Sequence, residues 1–297
     1  STGGSNTAIG NSAIRYLDAG NENTAVGNTA GSYLLGTKTT IVGSQAGRFA
    51  TGSYNTFTGY KAGYGSLTSA PYSSGTNNTA VGYEALEDFT TGHSNVAVGY
   101  GAGKDITTSH YNVLVGYDAG KSITEGAGRS VLIGMRAGDA QTLSSYNVAI
   151  GYDAMTNNQV GSHNIVVGGA AGYDLLGPEN VIIGSSAGAN LTTSSGSVVI
   201  GNNTLTTATT DKYGVAIGFE AMKLTPAGLA LETTVAIGYR AMYGAQATQG
   251  ISGNVAIGAG AGYTITSGGN NVFLGYHAAY NITAGSKNTI VGRHAGN

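Results

Sequence analysis

A short phrase closed by glycine recurs 17 times along the 297-residue chain. The stretch NVAVGYGAGKDIT, which begins at Asn95, returns as NVLVGYDAGKSIT 17 residues later. A unit of this length cannot bury a hydrophobic core alone, so successive units must stack, which predicts a solenoid with one coil per repeat. We call the closing residues anchor glycines; they are Gly10, Gly27, Gly43, Gly59, Gly82, Gly99, Gly116, Gly134, Gly151, Gly168, Gly184, Gly201, Gly218, Gly238, Gly258, Gly275 and Gly292.

The residues before each anchor glycine predict a β-strand. Two flanking columns stand three residues and one residue before the anchor; the first is Thr, Val or Ile in all 17 repeats, and the second is Val or Ile in 15. Side chains alternate along a strand, so both columns share one face, and β-branched residues suit a pleated sheet. Frequent glycine disfavours helix. We predict an all-β parallel β-solenoid or β-roll of about 17 coils, with a short second strand later in each coil.

A middle column, two residues before each anchor, is also apolar and points away from the flanking columns. If the flanking columns fill the interior, the middle column forms an apolar stripe outside, and such stripes mark interfaces. Closed cyclic association of identical chains would bury the stripe, as would a two-sheet sandwich within one chain. The predicted residues of the interface between chains are Leu114, Leu132, Val166, Ile182, Val199 and Phe273.

Asparagine stands four residues before the anchor in 12 of the 17 repeats. Its side chain suits turns, and stacked asparagines can hydrogen-bond from one level to the next. We therefore predict an Asn ladder that links successive coils.

Composition argues against several partners. The net charge is −2 and the chain has no run of Lys or Arg, so we expect no nucleic-acid binding, which needs clustered cations. No apolar run approaches the ~18 residues of a membrane span, so we expect no membrane insertion. The absence of cysteine excludes a disulfide framework.

The repeat runs through the whole chain, so we predict a single solenoid domain over residues 1–297. Three longer spacings indicate loop insertions near residues 65–77, 225–233 and 245–253. The chain opens with STGG rather than with Met, and repeats run to both ends, so we expect a segment of a longer fibre.

Aromatic residues directly after the anchor glycines form the strongest candidate contact surface. Tyrosine combines an apolar ring with a hydroxyl group that can bond to water or to a sugar. The same column could instead seal a corner of the coil or a seam between chains. The candidate surface or glycan contacts are Tyr60, Tyr83, Tyr100, Tyr117, Tyr152, Tyr239 and Tyr276.

The acidic residues form no recognisable catalytic set. Several stand two residues after the anchor, where other repeats place Lys, Arg or His, as expected of a column that faces water. We predict no catalytic residue, no cofactor and no metal site. A glycan-cleaving, tailspike-like enzyme, which would need a close carboxylate pair, is an alternative. The acidic members of this column are Glu84, Asp118, Asp153 and Glu220.

Threonine supports a second alternative, an ice-binding β-solenoid. It stands eight residues after the anchor in nine repeats, and a flat Thr array is one way in which solenoids bind ice. Other residue types interrupt this column. Its threonines include Thr90, Thr107, Thr124, Thr142, Thr192 and Thr283.

Three phrases carry a family resemblance: NTAVGYEAL at residues 78–86, NVAVGYGAG at 95–103 and NTIVGRHAG at 288–296. They resemble the head repeats of YadA-type trimeric autotransporter adhesins and the repeats of phage tail fibres and bacterial fibre proteins. The resemblance implies a left-handed parallel β-roll, a homotrimer and an extracellular location on a bacterial surface or a virion tail. We therefore expect a non-enzymatic structural or attachment fibre segment whose further partner is a cell-surface glycan or protein receptor.

Overall fold

The computed structural model describes residues 3–16, 20–66, 72–124, 128–227, 231–244 and 251–297. The chain is an all-β parallel β-solenoid of about 16 turns, and no helix occurs in the described ranges. The prediction of an all-β parallel β-solenoid is thereby confirmed. The chain divides into two units, Ser1–Asn147 and Val148–Asn297.

Each anchor glycine follows a three-residue strand that holds one middle and two flanking positions. The first unit contains β1 (Thr7–Ile9), β2 (Thr24–Val26), β3 (Thr40–Val42), β4 (Thr56–Thr58), β5 (Thr79–Val81), β6 (Val96–Val98), β7 (Val113–Val115) and β8 (Val131–Ile133). The second unit contains β9 (Val148–Ile150), β10 (Ile165–Val167), β11 (Val181–Ile183), β12 (Val198–Ile200), β13 (Asp211–Lys212), β14 (Val215–Ile217), β15 (Leu231–Glu232), β16 (Val235–Ile237), β17 (Val255–Ile257), β18 (Val272–Leu274) and β19 (Thr289–Val291).

Within each unit, every anchor strand pairs in parallel with that of the next coil, and equivalent residues face one another. Ala97 of β6 lies opposite Leu114 of β7, and Val166 of β10 lies opposite Ile182 of β11. This register confirms one coil per repeat. The predicted second strand is wrong for most coils, because the described residues beyond the anchor strands pair only in β13 with β15 and in isolated bridges. Turn hydrogen bonds between coils replace it.

The anchor glycines let successive coils approach closely. Their φ angles lie between 129° and 141°, which residues with a side chain rarely adopt. A Cβ on Gly99 would also collide with the carbonyl oxygen of Gly116 in the next coil. Both the backbone angle and the available space therefore require glycine at this position.

The middle column points into the coil, and the flanking columns point out. From β2 to β18, the middle residue of each anchor strand is buried and neither flanking residue is. The alanines that stand three residues after the anchor complete the interior, as Ala102 and Ala119 do. This orientation is the reverse of the predicted one.

Side-chain volume explains the orientation. Where the middle residue is large, as at Leu114, the residue four after the anchor is small; a Cβ on Gly120 would lie 2.8 Å from Leu114 Cδ2. In several coils where the middle residue is alanine, as at Ala80, the later position is large, as at the fully buried Leu86. The two positions thus share one interior space, which close packing requires to be filled without excess.

The predicted Asn ladder is confirmed. The backbone N–H of Asn95 donates to Asn78 Oδ1 (3.0 Å), and its side-chain Nδ2 donates to Asn78 Oδ1 (3.2 Å) and to the carbonyl oxygen of Ser109 (3.0 Å). Asn112 repeats the first two bonds on Asn95 Oδ1, both at 3.0 Å. Each buried amide therefore satisfies polar groups of the coils on both sides.

The predicted insertions lie partly outside the described residues, which omit 67–71, 228–230 and 245–250. At the end of the second insertion, β15 pairs with β13, where Asp211 lies opposite Leu231. This coil pair thus has an extra strand on a second side.

Candidate functional site

The six predicted residues of the interface between chains are interior residues. Each of them is 0% exposed in the single chain, so none can contact a partner. The prediction assigned the two faces of the strand the wrong way round. Alternation determines which positions share a face, and it does not determine which face is covered. The corrected residues are Leu114, Leu132, Val166, Ile182, Val199 and Phe273.

The opposite side of the anchor strands is exposed. We define this outward face as the two flanking columns of the anchor strands. Every position in these columns is Thr, Val, Ile or Leu. Val96 and Val113 are both 37% exposed and Leu274 is 45% exposed, although each belongs to a residue type that normally favours the interior. Parallel in-register pairing lines these side chains up from coil to coil within each unit. Each unit therefore presents a regular, uncharged, largely apolar strip.

The tyrosine column borders the outward face. Tyr60, Tyr83, Tyr100 and Tyr117 follow four successive anchors and are exposed. Neighbouring ring centroids lie 5.2, 4.9 and 5.0 Å apart, and the last two pairs are within 8° of parallel. The coil spacing of ~4.8 Å sets this stacking distance. The structure thus brings four of the predicted surface tyrosines into one ladder.

The other three predicted tyrosines lie in the second unit and are not part of a continuous ladder. Tyr239 stacks on Phe219 with a centroid distance of 5.7 Å. Tyr276 stacks on His277 of its own coil at 4.0 Å. Tyr152 is exposed, and Gly169 takes the equivalent position in the next coil. These rings are therefore separate surface features.

The acidic column is less exposed than predicted. Glu84, Asp118, Asp153 and Glu220 are each at most 9% exposed, so the prediction that these carboxylates face water is wrong. They have left-handed backbone φ angles of 50–56° that fold the side chain against the coil.

Ion pairs offset the burial of two of these carboxylates. Lys104 Nζ lies 2.5 Å from Glu84 Oε2 and 3.1 Å from Glu87 Oε2. Desolvation by itself would raise the pKa of Glu84, but hydrogen bonds from Lys104 and Tyr83 outweigh it and lower the pKa. Hydrogen bonds from Lys223 and then Arg240 likewise lower the pKa of Glu220 despite desolvation. These carboxylates stay ionised at neutral pH, unlike the raised-pKa acid of a glycosidase.

The threonines eight residues after the anchor contribute to coil stacking. Thr90 Oγ1 donates to the carbonyl oxygen of Thr107 (2.9 Å), and Thr192 Oγ1 donates to that of Thr209 (3.0 Å). Their hydroxyl groups thus satisfy backbone acceptors of the next coil. Sequence reasoning missed a different Thr series, which lies on the outward face at Thr7, Thr24, Thr40, Thr56 and Thr79.

Comparisons with known proteins found no match: no family model, curated protein or solved structure matches this chain. No helix of the described ranges is long and apolar enough to cross a membrane. Those ranges also contain no cluster of three His, Asp or Glu side chains that could hold a metal ion.

Proposed function

We propose that this chain is a segment of a homotrimeric extracellular fibre that serves structure and attachment and has no enzymatic role. In this proposal, the outward faces of three copies pack together along the solenoid. The tyrosine column, which borders that face, lies at the seam or beside it. The resemblance of the NTAVGYEAL-type phrases to trimeric fibre repeats supports the same assembly.

One observation carries the proposal, namely the exposure of Val and Ile side chains on a strip without charge. Val96, Val98 and Ile150 are 36–37% exposed in the single chain. An extended exposed apolar surface marks an interface. A strip of uncharged side chains that repeats at the coil spacing can match another copy of itself, whereas a partner with a charged surface would find nothing complementary.

Each unit offers a sizeable area on its outward face. Strands spaced ~4.8 Å apart and about 10 Å long give roughly 400 Å² for the eight anchor strands of the first unit and about as much for the nine of the second. Each face is thus about half of the ~800 Å² that one partner usually contributes to a specific complex. Burial of this apolar area would stabilise the assembly by the hydrophobic effect.

A double charge on the outward face tests the proposal. We expect Val181→Glu with Ile183→Glu to yield a folded monomer, because both side chains point outward and carboxylates cannot be desolvated in an apolar interface. The control is Ser186→Glu, which adds a carboxylate beside the anchor in the same coil. Light scattering should give a trimer for the control and a monomer for the double variant. A double variant that remains a trimer would refute the proposed interface.

The Thr series on the outward face supports ice binding as a second candidate. Five successive coils present a threonine in register, and Thr7, Thr40 and Thr56 are exposed. A free outward face would be needed to contact ice, so the trimer and the ice-binding surface exclude each other. Thermal hysteresis of a solution of monomers would support this candidate, and its absence would reject it.

A further inference from the structure

One coil of the second unit lacks the bulky side chains that its neighbours place beside the anchor glycine. The two positions after the anchor are Ala259 and Gly260 in this coil. The preceding coil has Tyr239 and Arg240 there, and the following coil has His277 at the second position. This local gap in the surface columns opens a pocket.

The pocket is small and mostly aromatic. Its empty volume is about 270 Å³, part of which is open to solvent. Because open solvent makes up part of this volume, the enclosed space is well below that of pockets for drug-sized ligands, and the site suits one ring rather than an extended molecule. The lining residues are Tyr239, Arg240, Gly260, Tyr263, His277 and Tyr280.

Ring stacking fixes the walls of the pocket. The rings of Tyr263 and Tyr280 stack at 4.7 Å, and that of His277 lies 4.3 Å from Tyr280. A Cβ on Gly260 would lie 2.6 Å from His277 Cδ2, so a side chain at this position would displace the imidazole. Glycine at residue 260 is therefore what keeps the pocket open.

The polar groups of the pocket are of mixed donor and acceptor type. Arg240 Nε donates to Glu220 Oε2 (2.7 Å), and the remaining N–H groups of the guanidinium are further donors. Burial, together with nearby His294, lowers the pKa of His277, so its imidazole is neutral at pH 7 and supplies one donor and one acceptor. Each tyrosine hydroxyl can both donate and accept.

We propose that this pocket binds a single sugar residue of a glycan. A pyranose ring has an apolar C–H face that packs against aromatic rings and a rim of hydroxyl groups that both donate and accept hydrogen bonds. The lining offers both kinds of surface. No carboxylate lines the pocket, which makes it a poor cation site, and a single guanidinium is too little charge for nucleic acid.

This inference rests on the proposed attachment function and names the ligand class for it. A single small site binds weakly, with a Kd on the order of 1 mM. Three copies of the pocket in a trimer would raise the apparent affinity for a surface that displays many glycans. Weak individual sites are therefore compatible with firm attachment.

The test is to titrate the full chain with methyl glucoside, methyl galactoside, N-acetylglucosamine or N-acetylneuraminic acid. Binding is measured by saturation-transfer NMR. The three neutral sugars and the acidic one distinguish stacking recognition from recognition of a carboxylate by Arg240. We expect saturable binding of at least one sugar, and at least a tenfold loss in Gly260→Glu and in Tyr263→Ala. Glutamate already occupies the equivalent backbone conformation at Glu84 and Glu220, so Gly260→Glu should fold.

The matched control is Ser186→Glu, which adds the same side chain in the same column of another coil and should bind sugar like the unmodified chain. Absence of saturation for all four sugars up to about 50 mM, some fifty times the expected Kd, would overturn the inference. Unchanged binding in both pocket variants would overturn it as well. Light scattering on the same samples separates this failure from a failure of the trimer proposal, because mass and sugar binding are read independently.

Discussion

The outward faces of the two units differ in chemistry although their coils are built alike. In the first five coils, the position three residues before the anchor is threonine, whereas from β9 to β18 every anchor strand has Val or Ile there. The register, the anchor glycines and the buried middle column are the same in both regions. A strand of this solenoid therefore requires a β-branched residue at this position, and it does not require an apolar one. The fold of a single chain therefore does not account for the exposed Val and Ile of the second unit, whereas the proposed association of chains would.

The largest expected effect comes from charging the inward side of the apolar region. Ile182 is fully buried, so Ile182→Glu places an unpaired carboxylate in the interior, at a cost of several kcal/mol. We expect a large fall in the melting temperature, measured by circular dichroism. Val181→Glu, one residue earlier on the outward side, should retain the folded single chain. Equal damage from both variants would contradict the assigned orientation of the strand.

The Asn ladder should be equally important in both regions, because it belongs to the fold and not to the outward face. Asn78→Ala in the first unit removes the acceptor for the N–H and the side-chain amide of Asn95, and Asn254→Ala in the second unit does the same to Asn271. Each variant leaves buried polar groups unpaired and should lose about 2–3 kcal/mol of unfolding free energy in urea. Serine at either position should recover part of the loss, since Ser130 and Ser197 occupy this column naturally. A strong effect in only one unit would show that the two stacks are not equivalent.

One coil of the second unit should make stability depend on pH. Gly214 replaces the asparagine, and the carboxylate of Asp211 takes up the space where a Cβ would be. Burial raises the pKa of Asp211 to about 6, against opposing hydrogen bonds from Ser197 and the Lys212 backbone. Between pH 3.8 and about 6, the Asp211 carboxyl is therefore protonated in the folded state and ionised in the unfolded state.

The free energy of unfolding should therefore rise as the pH falls through about 6, by an amount on the order of 2 kcal/mol. This gain is lost again as the pH rises through about 6. Asp211→Asn should remove this dependence and should be more stable than the unmodified chain at pH 7. Urea unfolding of both proteins at pH 4, 6 and 7 measures the difference. An unmodified chain that loses stability relative to Asp211→Asn on acidification would contradict the assignment.

The smallest expected effect comes from exchanging Val and Thr on the outward face. Val198→Thr keeps the β-branched shape on the exposed side of β12, so the stability of the single chain should change by no more than about 0.5 kcal/mol. The reverse exchange, Thr40→Val in β3, should be equally mild. Thermal melting of dissociated chains measures both. A loss of several kcal/mol in either variant would mean that the two outward faces are not interchangeable within the fold.

The fold could be predicted from the sequence because its constraints are local and repeat in every coil. The anchor glycines, the β-branched strands and the Asn column each follow from backbone geometry that one repeat already displays. The inward and outward sides could not be read from alternation, since both faces are apolar. The signal that would have resolved them is the size relation within a coil, in which large Leu114 accompanies Gly120 and small Ala80 accompanies Leu86.

The pocket escaped prediction for a different reason. It depends on the absence of side chains at Ala259 and Gly260, and on rings from three coils that are up to 41 residues apart, from Tyr239 to Tyr280. The tyrosine column pointed to the right kind of surface, but its continuous part in the first unit is a ladder without such an opening. The gap can be read from the aligned columns, but the sequence alone does not show that rings from neighbouring coils surround it.

The central claim, that the outward faces of identical chains cover one another, is tested most directly by the mass of the unmodified chain in solution. Sedimentation equilibrium over a range of concentrations should give three times the chain mass of 29.6 kDa. A mass of two chains would agree with a covered outward face but would reject the trimer. A single species of 29.6 kDa at every concentration would contradict the account.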